Sequence, residues 1–284
     1  MELKNLLLHV DGTKASDGCI DAAVALAEAH GAHVAALYCV PEYQIPGWAR
    51  WSDATPASAT ERGSDERAES ALAAFTGKAE AAGISHETRT VRVAAERIGE
   101  EVALHARYAD MAVLGQVDPD DPPAAGHEVV EQVVLACGRP ALVIPYIGPP
   151  RREGRVAFGE RAMIAWDAGR EATRAVNDAL PLLERAGAVD LVMIDPVRGV
   201  RGHGEEPGAD LAVHLARHGL EVEVKRVEGH ALDPGDMLLA RLSDAGSDLL
   251  VMGLYGHSRV RELVLGGVTR SVLAQMPVPV LLSH

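Results

Sequence analysis

At 284 residues the chain is too long for one compact α/β layer of ordinary size and suits two. Its 48% hydrophobic and 24% charged residues exclude a disordered polymer, and the rarity of aromatics (4%) leaves Ala, Val and Leu to fill the interior. A formal net charge of −14 argues against a nucleic-acid groove, and no apolar run reaches the roughly 18 to 20 residues that a bilayer demands.

Met1-Glu2-Leu3-Lys4 leads into an apolar strand without the basic, apolar and small-residue plan of a secretory leader, so a cytoplasmic protein with no membrane partner is expected. Leu6 to Val10 ends in Asp11-Gly12, and a 3.6-residue period of Ala, Val and Leu then predicts a helix from about Ser16 to Ala29. Gly31 stops it. The run from Val34 to Val40 has the continuous apolarity of a strand buried on both faces. A long insertion from Pro41 to about Gly63 follows, carrying Trp48 and Trp51 among Pro, Ser, Thr and Ala, which suits a lid or a patch packed on the other domain. An Ala-rich helix from about Glu66 to Ala82 and a strand from Thr88 to Val93 come next. Met111 to Gly115 and Arg139 to Ile144 supply two further strands. Cys19, Cys39 and Cys137 are odd in number, widely separated and without a CxxC pair, so they are expected to be buried thiols.

The second half repeats this order. Met163 to Ala165, Trp166 and Asp167-Ala168-Gly169 match the opening strand and turn, with a helix from about Glu171 to Arg185 behind them. Gly187 to Pro196, Glu221 to Val227, Ser247 to Gly253 and Val278 to Leu282 match the later strands, and Ala109-Asp110-Met111 is echoed by Ser247-Asp248-Leu249. Each copy therefore reads β-α-β-α-β-α-β-α-β, which implies a five-stranded, parallel, doubly wound α/β domain. The expected boundaries are 1–146 and 159–284, with the polar, Pro/Gly-rich stretch 147–158 as linker. Charge is uneven: 11 basic against 22 acidic residues up to Tyr146, and 16 against 19 from Ile147 onward. An anionic small ligand meets less repulsion in the second copy.

Only the second copy has a glycine pattern suited to an anion. Gly253 closes an apolar run, Gly256 follows after two residues, and Gly266-Gly267 stands just before a helix that starts near Val268. Glycines let peptide N–H groups approach an oxyanion with no Cβ in the way, and a helix start adds unpaired N–H groups and the positive end of its dipole. In the first copy the corresponding loop is Gln116-Val117-Asp118-Pro119-Asp120-Asp121-Pro122-Pro123, and His127 and Glu128 stand where the later glycines would be, so carboxylates there should repel a triphosphate. His214 and His218 are four apart and could share a helix face, with His203 and His230 nearby, but without a third ligand or a Glu base they read as surface imidazoles. No P-loop, dinucleotide glycine motif or nucleophile elbow occurs.

These features together resemble a tandem universal stress protein, two copies of that α/β domain in one chain, over nearly the whole length. The resemblance implies an adenine nucleotide alpha-hydrolase-like, Rossmann-like fold. It further implies ATP or another adenine nucleotide, with or without Mg, as ligand. Asp167 and Ile194 would then border the adenosine, and Gly253, Gly256, His257, Gly266, Gly267, Val268 and Thr269 would surround the ribose and phosphates. The family pattern ends in Ser or Thr, and Gly267 departs from it, which should weaken binding by one hydroxyl hydrogen bond. Three functions follow: a nucleotide-binding sensor in the stress response, an interaction protein assembling through sheet edges, and a slow Mg-dependent ATPase for which no catalytic residue is assigned. The apolar final strands of the copies are expected to join them as an intramolecular pseudo-dimer, and a homodimer of whole chains is compatible with the same edges.

Overall fold

The computed structural model describes residues 2–42, 56–123, 128–196, 206–229, 233–254 and 267–284. Their elements alternate along the chain. The first copy contains β1 (Asn5–Val10), α1 (Ser16–His30), β2 (His33–Glu42), α2 (Pro56–Ala82), β3 (His86–Ala94), α3 (Ile98–Ala106), β4 (Met111–Gly115), α4 (Val129–Cys137) and β5 (Ala141–Ile144). A hairpin of β6 (Arg151–Arg152) and β7 (Arg155–Val156) follows, and the second copy runs through β8 (Arg161–Ala165), α5 (Arg170–Leu183), β9 (Ala188–Ile194), α6 (Ala209–Arg217), β10 (Val222–Val227), α7 (Pro234–Ala245), β11 (Leu249–Gly253), α8 (Gly267–Gln275) and β12 (Val280–Ser283).

Each copy contributes five strands, but they do not form two separate sheets. One ten-stranded sheet runs β10-β9-β8-β11-β12-β5-β4-β1-β2-β3. Every pairing within a copy is parallel, and the copies meet where β12 pairs antiparallel with β5, Leu281 opposite Leu142. The apolar final strands explain the merger: Ala141 to Ile144 and Val280 to Leu282 are fully buried, and pairing them leaves no apolar edge in water. Because that one pairing is antiparallel, the carboxyl ends of the two sets of strands point to opposite edges of the sheet.

Strand residues alternate between two cores. Leu6, Leu8, Met111, Val113, Ile164 and Val251 face one side, covered by α1, α2, α5 and α6 through Ile20, Phe75, Ala175 and Leu215. Leu7, Ala112, Leu114, Met163, Leu250 and Met252 face the other, covered by α3, α4, α7 and α8 through Val102, Val133, Leu238 and Val272. This is a helix-sheet-helix sandwich in which both faces of a parallel sheet are hidden.

Three local details depart from the sequence reading. First, α2 begins at Pro56, ten residues before the expected start, because Pro is favoured at the first helical position and Ala57 to Arg62 contains no helix breaker. Only 43–55 of the expected insertion, with Trp48 and Trp51, lies outside the described residues. Second, the expected linker holds the β6–β7 hairpin: Glu153 and Gly154 both take positive φ (49° and 80°), the backbone required by a tight two-residue turn. Third, the seam between the copies is clipped by a buried amide. Gln116 accepts the N–H of Tyr146 at 3.0 Å and donates to the Leu273 carbonyl of α8 at 2.8 Å. Arg185, two residues beyond α5, reaches the Ala29 carbonyl near the end of α1 at 3.0 Å.

Candidate functional site

Parallel sheets bind ligands outside the carboxyl ends of their strands, where the winding reverses direction. The sheet order gives two such points, between β8 and β11 in the C-terminal lobe and between β1 and β4 in the N-terminal lobe.

At the C-terminal reversal, Asp167 lies two residues beyond β8, Ile194 ends β9 and Gly253 ends β11, so three of the expected site residues share one edge of three adjacent strands. Asp167 accepts the Gly169 N–H at 2.8 Å and closes a turn in which Ala168 is left-handed, with φ 59°. Gly267, Val268 and Thr269 form the first turn of α8, Thr269 is buried, and Val268 packs toward the core. Gly256, His257 and Gly266 lie outside the described residues.

Two further facts bear on the glycines. A Cβ on Gly253 would come within 2.6 Å of the Ala172 nitrogen and 2.7 Å of the Glu171 carbonyl carbon, so this glycine is demanded by the backbone of α5 whether or not a ligand binds. Among the described residues, a Cβ on Gly267 would meet only Asp233 Oδ2, at 3.4 Å. Asp233 caps α7 by accepting the N–H groups of Gly235 at 2.8 Å and Asp236 at 3.3 Å, which places a carboxylate beside the start of α8. The Asp-Pro pair at 233–234 marks a helix start in the sequence, with Asp as N-cap and Pro following. Its proximity to α8 is set by the packing of two helices and has no sequence signature.

The N-terminal reversal holds a cavity of about 290 Å³. His9 and Asp11 line it at the end of β1, Tyr38 and Cys39 near the end of β2, Ile98 at the start of α3, and Asp121 in the loop after β4. Asp11 Oδ1 accepts Thr13 N–H at 3.0 Å, Thr13 Oγ1 at 2.7 Å and Ser16 Oγ at 2.7 Å. Burial pushes its carboxyl up, but the His9 charge and the Ser16 and Thr13 hydrogen bonds outweigh it and hold the group below its ordinary value. His9 is only 8% exposed, burial lowers its pKa against the opposing charge of Asp11, and its ring finds no hydrogen-bond partner among the described residues. Burial pushes the Cys39 thiol up to about 12, with Glu101 adding to the shift, and that of Cys19 higher still, so neither is a nucleophile. All three cysteines are free and buried.

His214 and His218 stack edge to face with centroids 4.9 Å apart, and no group of three or more metal-ligating side chains occurs among the described residues. His203 and His230 lie outside them. No helix among the described residues is long and apolar enough to cross a membrane.

A family model described as the universal stress protein family matches the chain twice, at residues 2–145 and 160–284. Among solved structures, the chain is similar to a universal stress protein from Archaeoglobus fulgidus DSM 4304, with TM-score 0.73 and 18% identity over 99% of this chain and 96% of that one. It is also similar to a functionally unknown protein from Pseudomonas aeruginosa PAO1, with TM-score 0.59 and 13% identity over 99% of this chain and 92% of that one. A universal stress protein in complex with cAMP matches with TM-score 0.36 and 20% identity, over 51% of this chain and 99% of that one. No curated protein matches the chain.

Proposed function

The chain belongs to the universal stress protein family, and from that membership we propose that its C-terminal lobe, residues 159–284, binds an adenine nucleotide and acts as a cytoplasmic regulatory sensor. The observation that supports this reading best is the gathering of Asp167, Ile194 and Gly253 on one carboxyl edge at the winding reversal, with α8 opening at Gly267. Asp167 and Ile194 border the adenosine. The phosphates meet the peptide N–H groups of Gly267 to Thr269, and Gly256, His257 and Gly266 complete the cradle.

Asp233 shapes the ligand. A carboxylate about 5 Å from a phosphate repels it by roughly 3 kcal/mol per unit charge at an effective dielectric near 20. Its oxygens suit a divalent cation, so the nucleotide is taken as its Mg²⁺ complex, and the cation neutralises the charge facing Asp233. Calorimetric titration of ATP, with and without Mg²⁺, into wild type and Gly256→Glu tests the reading. Binding heat is expected for wild type with Mg²⁺ and none for the variant, and Asp233→Asn should reduce the dependence on Mg²⁺. Equal heats from wild type and Gly256→Glu would remove the site.

A second reading, an interaction protein without a nucleotide, draws support from Gly253, whose lack of a side chain is fully accounted for by the α5 backbone. It is the outcome selected if the titrations are silent. Slow hydrolysis is separated from sensing by turnover assays of wild type and Asp167→Ala.

A further inference from the structure

The N-terminal cavity lies in the lobe where a nucleotide is not expected, and its lining calls for a different ligand. His9 is more than nine-tenths buried, lines the space, and has no hydrogen-bond partner among the described residues. An imidazole that lines the cavity with no protein hydrogen-bond partner among the described residues keeps its donor and acceptor for whatever fills the space, so a ligand that pairs with it can take the place of water there. Two carboxylates line the same space. Asp11 spends one oxygen on Thr13 and Ser16, with no bond to its Oδ2 among the described residues. Asp121 receives the Lys14 N–H at 3.0 Å. The cation in the lining, Arg67, is an exposed residue of α2. Cys39, Pro41, Ile98 and Pro122 supply apolar wall.

We propose that this cavity binds a small organic amine, its ammonium group held by Asp11 and Asp121, a further N–H given to His9, and its apolar body lodged between Pro41, Ile98 and Pro122. Phosphorylated ligands are rejected, because their charge would face both carboxylates. The site is independent of the nucleotide reading, since every residue in it belongs to the other lobe.

The test is calorimetric titration of the full chain with tryptamine and with indole-3-acetate, two probes that share an indole body and differ in the sign of their charge. Tryptamine should saturate a single site at millimolar concentration or below, and indole-3-acetate should give no saturable heat. Asp11→Asn should weaken tryptamine by at least about tenfold, the scale of a lost ion pair in a partly buried site. Gly256→Glu should leave it unchanged, which separates this site from the nucleotide site. If Asp11→Asn fails to melt cooperatively, Asp121→Asn carries the same test. The proposal is overturned if both probes bind equally, if tryptamine gives no saturable heat, or if the folded carboxylate variant binds it as tightly as wild type.

Discussion

Asp248 and Asp110 occupy equivalent places in the two copies, each directly before the strand that neighbours the opening strand. Their backbones behave alike: Asp248 N–H donates to the Arg161 carbonyl at 2.9 Å and Asp110 N–H to the Asn5 carbonyl at 2.8 Å. Their side chains hold the start of the opening strand. Asp248 Oδ1 accepts the N–H groups of Gly159 and Arg161, both at 2.9 Å, and its Oδ2 accepts that of Glu160 at 3.3 Å, whereas Asp110 Oδ2 accepts those of Lys4 and Asn5, at 2.7 and 2.9 Å. The Gly159 bond is buried, and both Asp110 bonds are exposed. A buried donor stripped of its acceptor costs about 1–3 kcal/mol, while one that water can reach costs much less. Asp248→Ala should therefore destabilise the protein by about 2–3 kcal/mol, and Asp110→Ala by about 1 kcal/mol. Asp248→Asn is the discriminating variant. Burial raises the Asp248 pKa although its backbone hydrogen bonds pull the other way, so the charge is not what favours this carboxylate in the fold. An asparagine oxygen can retain the Gly159 and Arg161 bonds without the charge, and the expected loss is below about 1 kcal/mol. For an acid with a raised folded pKa, stability falls as pH climbs from the unfolded value through the folded one, and this component should vanish in Asp248→Asn. Urea unfolding followed by circular dichroism at several pH values reads both effects. The reasoning fails if Asn costs as much as Ala, or if Asp110→Ala costs as much as Asp248→Ala.

Gly253→Ala should cost about 1–3 kcal/mol, because the new methyl meets backbone atoms of Glu171 and Ala172 in α5 or the helix must shift; a urea midpoint matching wild type would show that the contact relaxes freely. His9 should make the fold acid-sensitive. Its pKa is lowered chiefly by burial, so its contribution is complete above the ordinary histidine value of 6.5 and is lost as pH falls from there toward the folded pKa. His9→Gln should flatten the stability profile below pH 6.5 by up to about 1 kcal/mol per pH unit, and an unchanged slope would refute a neutral buried imidazole.

Much of the fold could be read in the residues. Apolar runs such as Leu6 to Val10 and Val34 to Val40 carry no polar alternation, which left a two-face-buried parallel strand as their natural state, and the paired Asp110 and Asp248 echoes mark equivalent corners. The β6–β7 hairpin was not legible, since Arg-Arg-Glu-Gly-Arg has the composition of any solvated linker and turns only through the backbone of Glu153 and Gly154. The glycines drew attention to the C-terminal lobe because regular spacing is visible in one dimension. The N-terminal cavity was not, because its walls come from distant segments that no spacing rule connects: His9 from β1, Pro41 from β2, Arg67 from α2 and Asp121 from the loop after β4. Gly253 had two roles open to it, and only the α5 backbone 2.6 Å from its missing Cβ identifies the packing role.

The antiparallel seam has a geometric consequence for how the lobes relate. With carboxyl edges on opposite sides of the sheet, the proposed nucleotide cradle and the N-terminal cavity cannot be neighbours, but α8 runs between their edges. Its first turn, Gly267 to Thr269, stands at the C-terminal reversal, and nine residues of helix span roughly 13 Å. Near its far end the Leu273 carbonyl accepts the amide of Gln116, the residue that opens the loop carrying Asp121, Pro122 and Pro123. That loop walls the N-terminal cavity. The Gln116–Leu273 hydrogen bond thus ties the far end of α8 to the residue that opens the loop walling the N-terminal cavity.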